Sequence, residues 1–191
     1  MGDLMVERLK AGYRLRHRWF LSMVEDLNDE EMAWQPTPTS HSIAWNLWHV
    51  ARWADYLHAK IPQMAPSLAR KLGPAQEVWK QEDLAAAWGL DGPVLGWGET
   101  GMEMDDRVAA TLRLPGKERL MAYARRAFAA AEHAVDAIDD EEFRAVYKSP
   151  VEWEGESPIS SYVISYLAHD EFHRGQIAAI RRAKDLPRVR R

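Results

Sequence analysis

Between residues 62 and 116 the chain carries prolines at 62, 66, 74, 93 and 115 and glycines at 73, 89, 92, 96, 98, 101 and 116. Long helices and strands do not survive punctuation that dense, so the segment reads as irregular, with short helical pieces near 76–88 and 103–112. Its length constrains the fold more than its composition does. Connections in an up-and-down helical bundle take about 2–8 residues, and this one runs from 62 to 116. It is therefore expected to be a crossover between parallel neighbours, or a lid. Trp79, Trp88 and Trp97 are expected to pack it onto the frame.

Four stretches outside that segment have helical periodicity, which predicts an all-α four-helix bundle with the long crossover between helices 2 and 3. The first, over 4–27, repeats Leu9, Tyr13, Phe20, Val24 and Leu27, with His17 in the same stripe. Residues 28–41 read as a polar connection in which Pro36 and Pro38 disfavour helix and Thr39 or Ser40 caps the second helix. That helix, 41–60, carries an apolar seam of Ile43, Leu47, Val50, Ala54 and Leu57. Beside it lies a polar-aromatic stripe of Asn46, His49, Trp53 and Tyr56, which suits a helix lining a cavity. The third, 117–138, offers a face of mostly small residues from Leu120 to Ile138, and its His133 has no partner legible in sequence. The fourth starts after a Ser157 cap and Pro158, runs to about 184, and ends before Pro187. Its stripe is Tyr162, Tyr166, His169, His173, Gln176 and Ile180. The basic tail Arg188–Arg191 is expected to be mobile. At 191 residues the whole chain, 1–191, is expected to form one domain.

His169 and His173 are four residues apart, so a helix projects both imidazoles from one face, one turn apart. A His-x-x-x-His pair alone recurs by chance, and the metal reading needs a third ligand. His49 is the candidate, some eight residues into its helix while His169 is some ten into its own, about 12–15 Å from each start at 1.5 Å per residue. Helices that share an orientation or cross centrally would bring the three together. Three neutral histidines suit zinc, nickel, iron or copper rather than magnesium or calcium, and three protein ligands leave a coordination position open. Trp45, Asn46, Trp53, Tyr56 and Tyr166 are expected to line the pocket. Asp170 is read as a solvated partner of Arg174 or, alternatively, as a catalytic acid. Gln176 could meet substrate or close the bundle end. His17, about level with His49 if helices 1 and 2 are antiparallel neighbours, is either a hydrogen-bonded core residue or a proton carrier beside the metal.

Composition removes several functions. There is no cysteine, so thiolate metal sites and a protein thiol nucleophile are excluded, and thiol chemistry would need a thiol cosubstrate. A net charge of −4 gives no electrostatic case for nucleic acid. No apolar run approaches the roughly 20 residues that span a bilayer, and no signal-peptide core lies at the N-terminus, so a cytoplasmic protein with no membrane partner is expected.

Two segments resemble the DinB superfamily, a group of metal-binding four-helix bundles: Ser42-Ile43-Ala44-Trp45-Asn46-Leu47-Trp48-His49-Val50-Ala51-Arg52-Trp53 and His169-Asp170-Glu171-Phe172-His173-Arg174-Gly175-Gln176-Ile177. The order of elements is similar along nearly the whole chain. The resemblance implies that His49, His169 and His173 bind a divalent metal, commonly zinc or nickel, in a bundle that is often a homodimer. It also implies metal-dependent transferases or isomerases acting on a small-molecule substrate with a low-molecular-weight thiol such as bacillithiol, mycothiol or glutathione. Two alternatives stand beside that function: a metal-dependent hydrolase assisted by Asp170, and a non-catalytic metal-binding stress-response protein.

Overall fold

The computed structural model describes residues 2–187 and Val189. Arg188, Arg190 and Arg191 of the expected basic tail lie outside the described residues, while Val189 packs against the core. The described chain is mostly helical, with one two-stranded sheet. Its helices are α1 (Gly2–Ser22), α2 (Asp29–Ala33), α3 (Ile43–Met64), α4 (Pro66–Leu72), α5 (Val78–Gln81), α6 (Leu84–Ala87), α7 (Asp106–Thr111), α8 (Lys117–Asp136), α9 (Asp140–Arg144) and α10 (Ile159–Ala183). No described helix is long and apolar enough to cross a membrane.

Four long helices form a closed ring: α1 packs on α8 and α10, and α3 packs on the same two. Side-chain pairs give the directions. Arg14 meets Asp136 and His17 meets Glu132, so α1 and α8 are antiparallel. Asn46 meets His173 and His49 meets His169, so α3 and α10 are antiparallel. Tyr13 reaches Val163 and Arg181 reaches Met23, so α1 and α10 are parallel. The structure corrects the expected pairing of the first two long helices. They run in opposite senses, but α1 makes its main contacts with α8 and α10.

Several boundaries differ from the sequence reading for identifiable reasons. α1 stops at Ser22 rather than 27 because Arg181 from α10 takes the Met23 carbonyl and pairs with both oxygens of Asp26, satisfying the helix end there. The polar connection 28–41 contains α2, nucleated by a capping box between Asn28 and Glu31. Ser42, not Thr39 or Ser40, caps α3 by accepting from the Trp45 amide. α3 continues through Pro62 to Met64, because a proline in the last turn forfeits one helical bond only; extended Ala65 before Pro66 then ends it. Ser157 does not cap α10: it lies in a short strand, Glu156–Pro158, that pairs antiparallel with Val146–Lys148. The fragments α4 to α7 fill the 65–116 crossover, and Trp79, Trp88 and Trp97 do pack it onto the frame, against Trp48 and Tyr123, against Tyr123, and against Trp53 and Tyr56. His133 is exposed.

Candidate metal centre

The antiparallel contact of α3 with α10 sets His49 level with His169, and Asn46, one turn earlier, level with His173. The three imidazoles gather with centroids 4.5–4.9 Å apart, and one nitrogen from each lies within 4.8 Å of the others. Tetrahedral zinc with Zn–N of about 2.0–2.1 Å needs nitrogens about 3.4 Å apart; the Nε2 atoms of His49 and His169 are 3.0 Å apart.

Hydrogen bonds behind the rings decide which nitrogen faces inward. A carbonyl oxygen only accepts, so the contact of His49 Nδ1 with the Thr100 carbonyl places the proton on Nδ1. The Asn46 amide nitrogen donates to the Ser42 carbonyl at 2.8 Å, which turns its oxygen toward His173, whose Nδ1 donates to it at 2.8 Å. Both rings therefore present a bare Nε2 to the centre. The bare Nε2 of His49 lies 3.0 Å from His169 Nε2, a contact that a proton carried by His169 or a shared cation makes favourable, and a set of three imidazoles this close fits a divalent cation.

Burial keeps the rings neutral. It holds His49 well below the usual imidazole range, with His173 and His169 adding to the effect. It brings His169 down to about 4, and His173 to about 3 with help from His169 and His41. Trp45 stacks on His49 at 4.6 Å, and His41 stacks on Trp45 at 3.6 Å. Trp53 stands edge-on to His49 and His169 at 6.3 and 5.8 Å. Tyr166 packs on Trp53 at 5.6 Å, its hydroxyl unpartnered, and Tyr56 packs on Trp53 at 5.7 Å. A cavity of about 570 Å³ opens onto His173 and Asn46, walled by His41, Asp106, Phe172 and Gln176.

Asp170 is not the solvated partner of Arg174. It is buried, and Arg174 pairs with Glu171 instead. Burial pushes its carboxyl well above the usual range, with Arg16 opposing. It stands behind the ligands, Oδ1 at 4.0 Å from His169 Nδ1 and Oδ2 at 3.8 Å from His17 Nε2, and both of those ring nitrogens lack partners. His17 lies behind Asp170, bonded through Nδ1 to Glu132 at 2.8 Å and stacked on Phe128 at 4.2 Å. The sequence reading missed Thr100, which acts through its main chain. The turn glycines Gly98 and Gly101 were the available signal, because they mark a close backbone approach. It also missed His41 and Phe172 at the cavity wall.

A family model described as the DinB superfamily matches residues 13–177. A solved conserved protein from Enterococcus faecalis superposes with a TM-score of 0.72 at 18% identity, over 93% of this chain and 95% of its own. At that identity the likeness is one of fold. No curated protein matches the chain.

Proposed function

The chain belongs to the DinB superfamily, and from that membership and its three-histidine cluster we propose a four-helix-bundle enzyme that joins a low-molecular-weight thiol to, or isomerises with its help, a small-molecule electrophile. The observation that carries the reading is the pair of bare Nε2 atoms on His49 and His173, locked by acceptors behind each ring, beside a cavity that reaches His173. His49, His169 and His173 would hold a divalent ion, zinc or nickel by their chemistry, which when bound supplies a Lewis acid that lowers the pKa of a coordinating thiol. The chain's own residues supply the rest. Trp45 and Trp53 screen the imidazoles from water, and Gln176 and His41 offer polar contacts to a ligand in the cavity. Asp170 stands behind His169, and a closer approach of about 1 Å would let its carboxyl accept the Nδ1 proton of His169, with His17 behind it. The same placement argues against hydrolysis: Asp170 lies behind the ligands, away from the cavity where a catalytic acid would meet substrate.

The test is elemental analysis of protein purified without a metal-affinity tag, followed by cobalt substitution and thiol titration. About one metal equivalent is expected, lost in His49→Ala, His169→Ala and His173→Ala, together with a sulfur-to-cobalt charge-transfer band on adding thiol. Metal retained in all three variants overturns the site, and absence of the band in excess thiol overturns the thiol chemistry.

A further inference from the structure

The carbonyl that orients His49 belongs to a turn of unfavourable backbone. Gly98, Glu99 and Gly101 all lie at positive φ, of 58°, 56° and 87°, and Glu99 is a residue that such a conformation disfavours. At Gly101 an added Cβ would come within 2.9 Å of His49 Nδ1 and of the Trp48 ring. A turn of this kind keeps its shape only when its surroundings impose it.

The imposing group is Arg52, one turn after His49 on α3 and fully buried. Its guanidinium has five N–H bonds, and the structure gives five acceptors. Nε donates to the Glu99 carbonyl at 2.9 Å, and one terminal nitrogen donates to the Gly98 carbonyl at 3.0 Å and to Glu77. The other terminal nitrogen donates to Asp55 and to the Tyr123 hydroxyl, both at 3.2 Å. Asp55 in turn accepts from the amides of Val78 and Trp79, which fixes the start of α5. Three successive carbonyls, 98, 99 and 100, therefore point back at α3. Arg52 takes the first two, and His49 Nδ1 donates to the third.

We propose that Arg52 is a positioning residue for the histidine cluster: by holding the Gly98 and Glu99 carbonyls it aims the Thr100 carbonyl at His49 Nδ1 and so sets the ring tautomer that turns a bare Nε2 inward. This rests on the metal reading only where affinity is measured. His173 is oriented by Asn46 and, among the described residues, makes no hydrogen bond to Arg52 or to the 98–100 carbonyls, so it serves as an internal control.

The test variant is Arg52→Lys, which keeps the charge and loses the fork. Two quantities are read: the ring-nitrogen tautomers of His49 and His173 by nitrogen-15 NMR on metal-free protein, and zinc affinity by chelator competition. Expected is a wild type with both rings protonated at Nδ1, and a variant in which His49 alone departs from that form while zinc affinity falls tenfold to a hundredfold. A folded variant whose His49 stays protonated at Nδ1 with affinity within twofold overturns the proposal, and so does a shift of both rings together, which marks general loosening. If Arg52→Lys does not fold, Glu77→Gln, at the part-exposed partner of the same fork, replaces it. The same selective shift of His49 is then expected with about a threefold loss of affinity, and no movement overturns the proposal. If wild-type protein binds no zinc the metal reading fails, while the tautomer measurement still decides the role of Arg52.

Discussion

Asn46 separates metal affinity from fold stability. It holds His173 with one end of its amide and the Ser42 carbonyl with the other, both at 2.8 Å. Asn46→Leu keeps the approximate volume and removes both bonds. Ser42 O keeps its helical partner, the residue-46 amide at 3.1 Å, so the main stranded group is the His173 N–H. One stranded donor and two lost bonds predict a stability loss of about 1–3 kcal/mol. The freed ring then samples both tautomers, and removing such a partner costs about tenfold to a hundredfold in metal affinity, or about 1.4–2.8 kcal/mol at 1.4 per decade. Asn46→Asp provides the contrast. A carboxylate still accepts from His173 Nδ1, so zinc affinity should hold within about threefold, while the lost donor to Ser42 and a buried charge lower stability at least as much as in Asn46→Leu. The assays are thermal unfolding of metal-free protein and zinc competition against a chelating dye. If both variants lose affinity in proportion to stability, or if folded Asn46→Leu binds zinc within twofold of wild type, the orienting role assigned to Asn46 is wrong.

Chelation is expected to abolish metal-dependent activity and leave helical circular dichroism largely intact, because the apolar faces of α1, α3, α8 and α10 are buried without the metal's help; complete unfolding would contradict this. The low pKa values of about 4 for His169 and about 3 for His173 mean that protons compete for these ligands only in strong acid. Zinc content should therefore stay level from about pH 7 to about pH 5 and drop below that, and half-loss near the ordinary imidazole value of about 6.5 would show that burial does not protect the site. His17→Gln should retain zinc and lose at least about tenfold in turnover, measured with an electrophile found by screening; unchanged turnover would leave His17 a packing residue bonded to Glu132.

The three ligands were legible because each sits on a helix whose period could be read directly: the buried seam Ile43, Leu47, Val50, Ala54, Leu57 fixes the rotation of α3, and hence where His49 points. α8 was legible for the same reason, from Leu120 to Ile138. The misses fall where the deciding partner is distant in sequence or is main chain. Asp170 looked solvated because Arg174 stands four residues away, yet α1 covers it and Glu171 takes the arginine. α1 ends early because of Arg181, more than 150 residues away. Ser157 had the composition of a cap but is taken up by a strand pairing with Tyr147 that a three-residue segment cannot signal. Thr100 acts through its carbonyl, which carries no residue-type information at all.

The burial of α3 also bears on what the crossover does. Every residue from Ser42 to Arg52 is buried, and a helix buried all round belongs at the centre of a structure rather than at its edge. In the ring of four, α8 and α10 cover only two sides of α3. The remaining side, which carries Trp48, Arg52 and Asp55, must be covered by something else, and α5 with the 96–101 turn does so through Trp79, Glu99 and the bonds to Arg52 and Asp55. The 96–101 turn and α5 thus wall the core beside Trp48, Arg52 and Asp55, and a lid built from these two pieces would have to break the Arg52 and Asp55 contacts to open. Entry to the histidines is accordingly expected on the α10 side, past half-buried His169 or through the cavity lined by Phe172 and Gln176. Bulk introduced there, as in Gln176→Trp, should slow ligand access, whereas bulk at the exposed Val94 on the crossover should leave it unchanged.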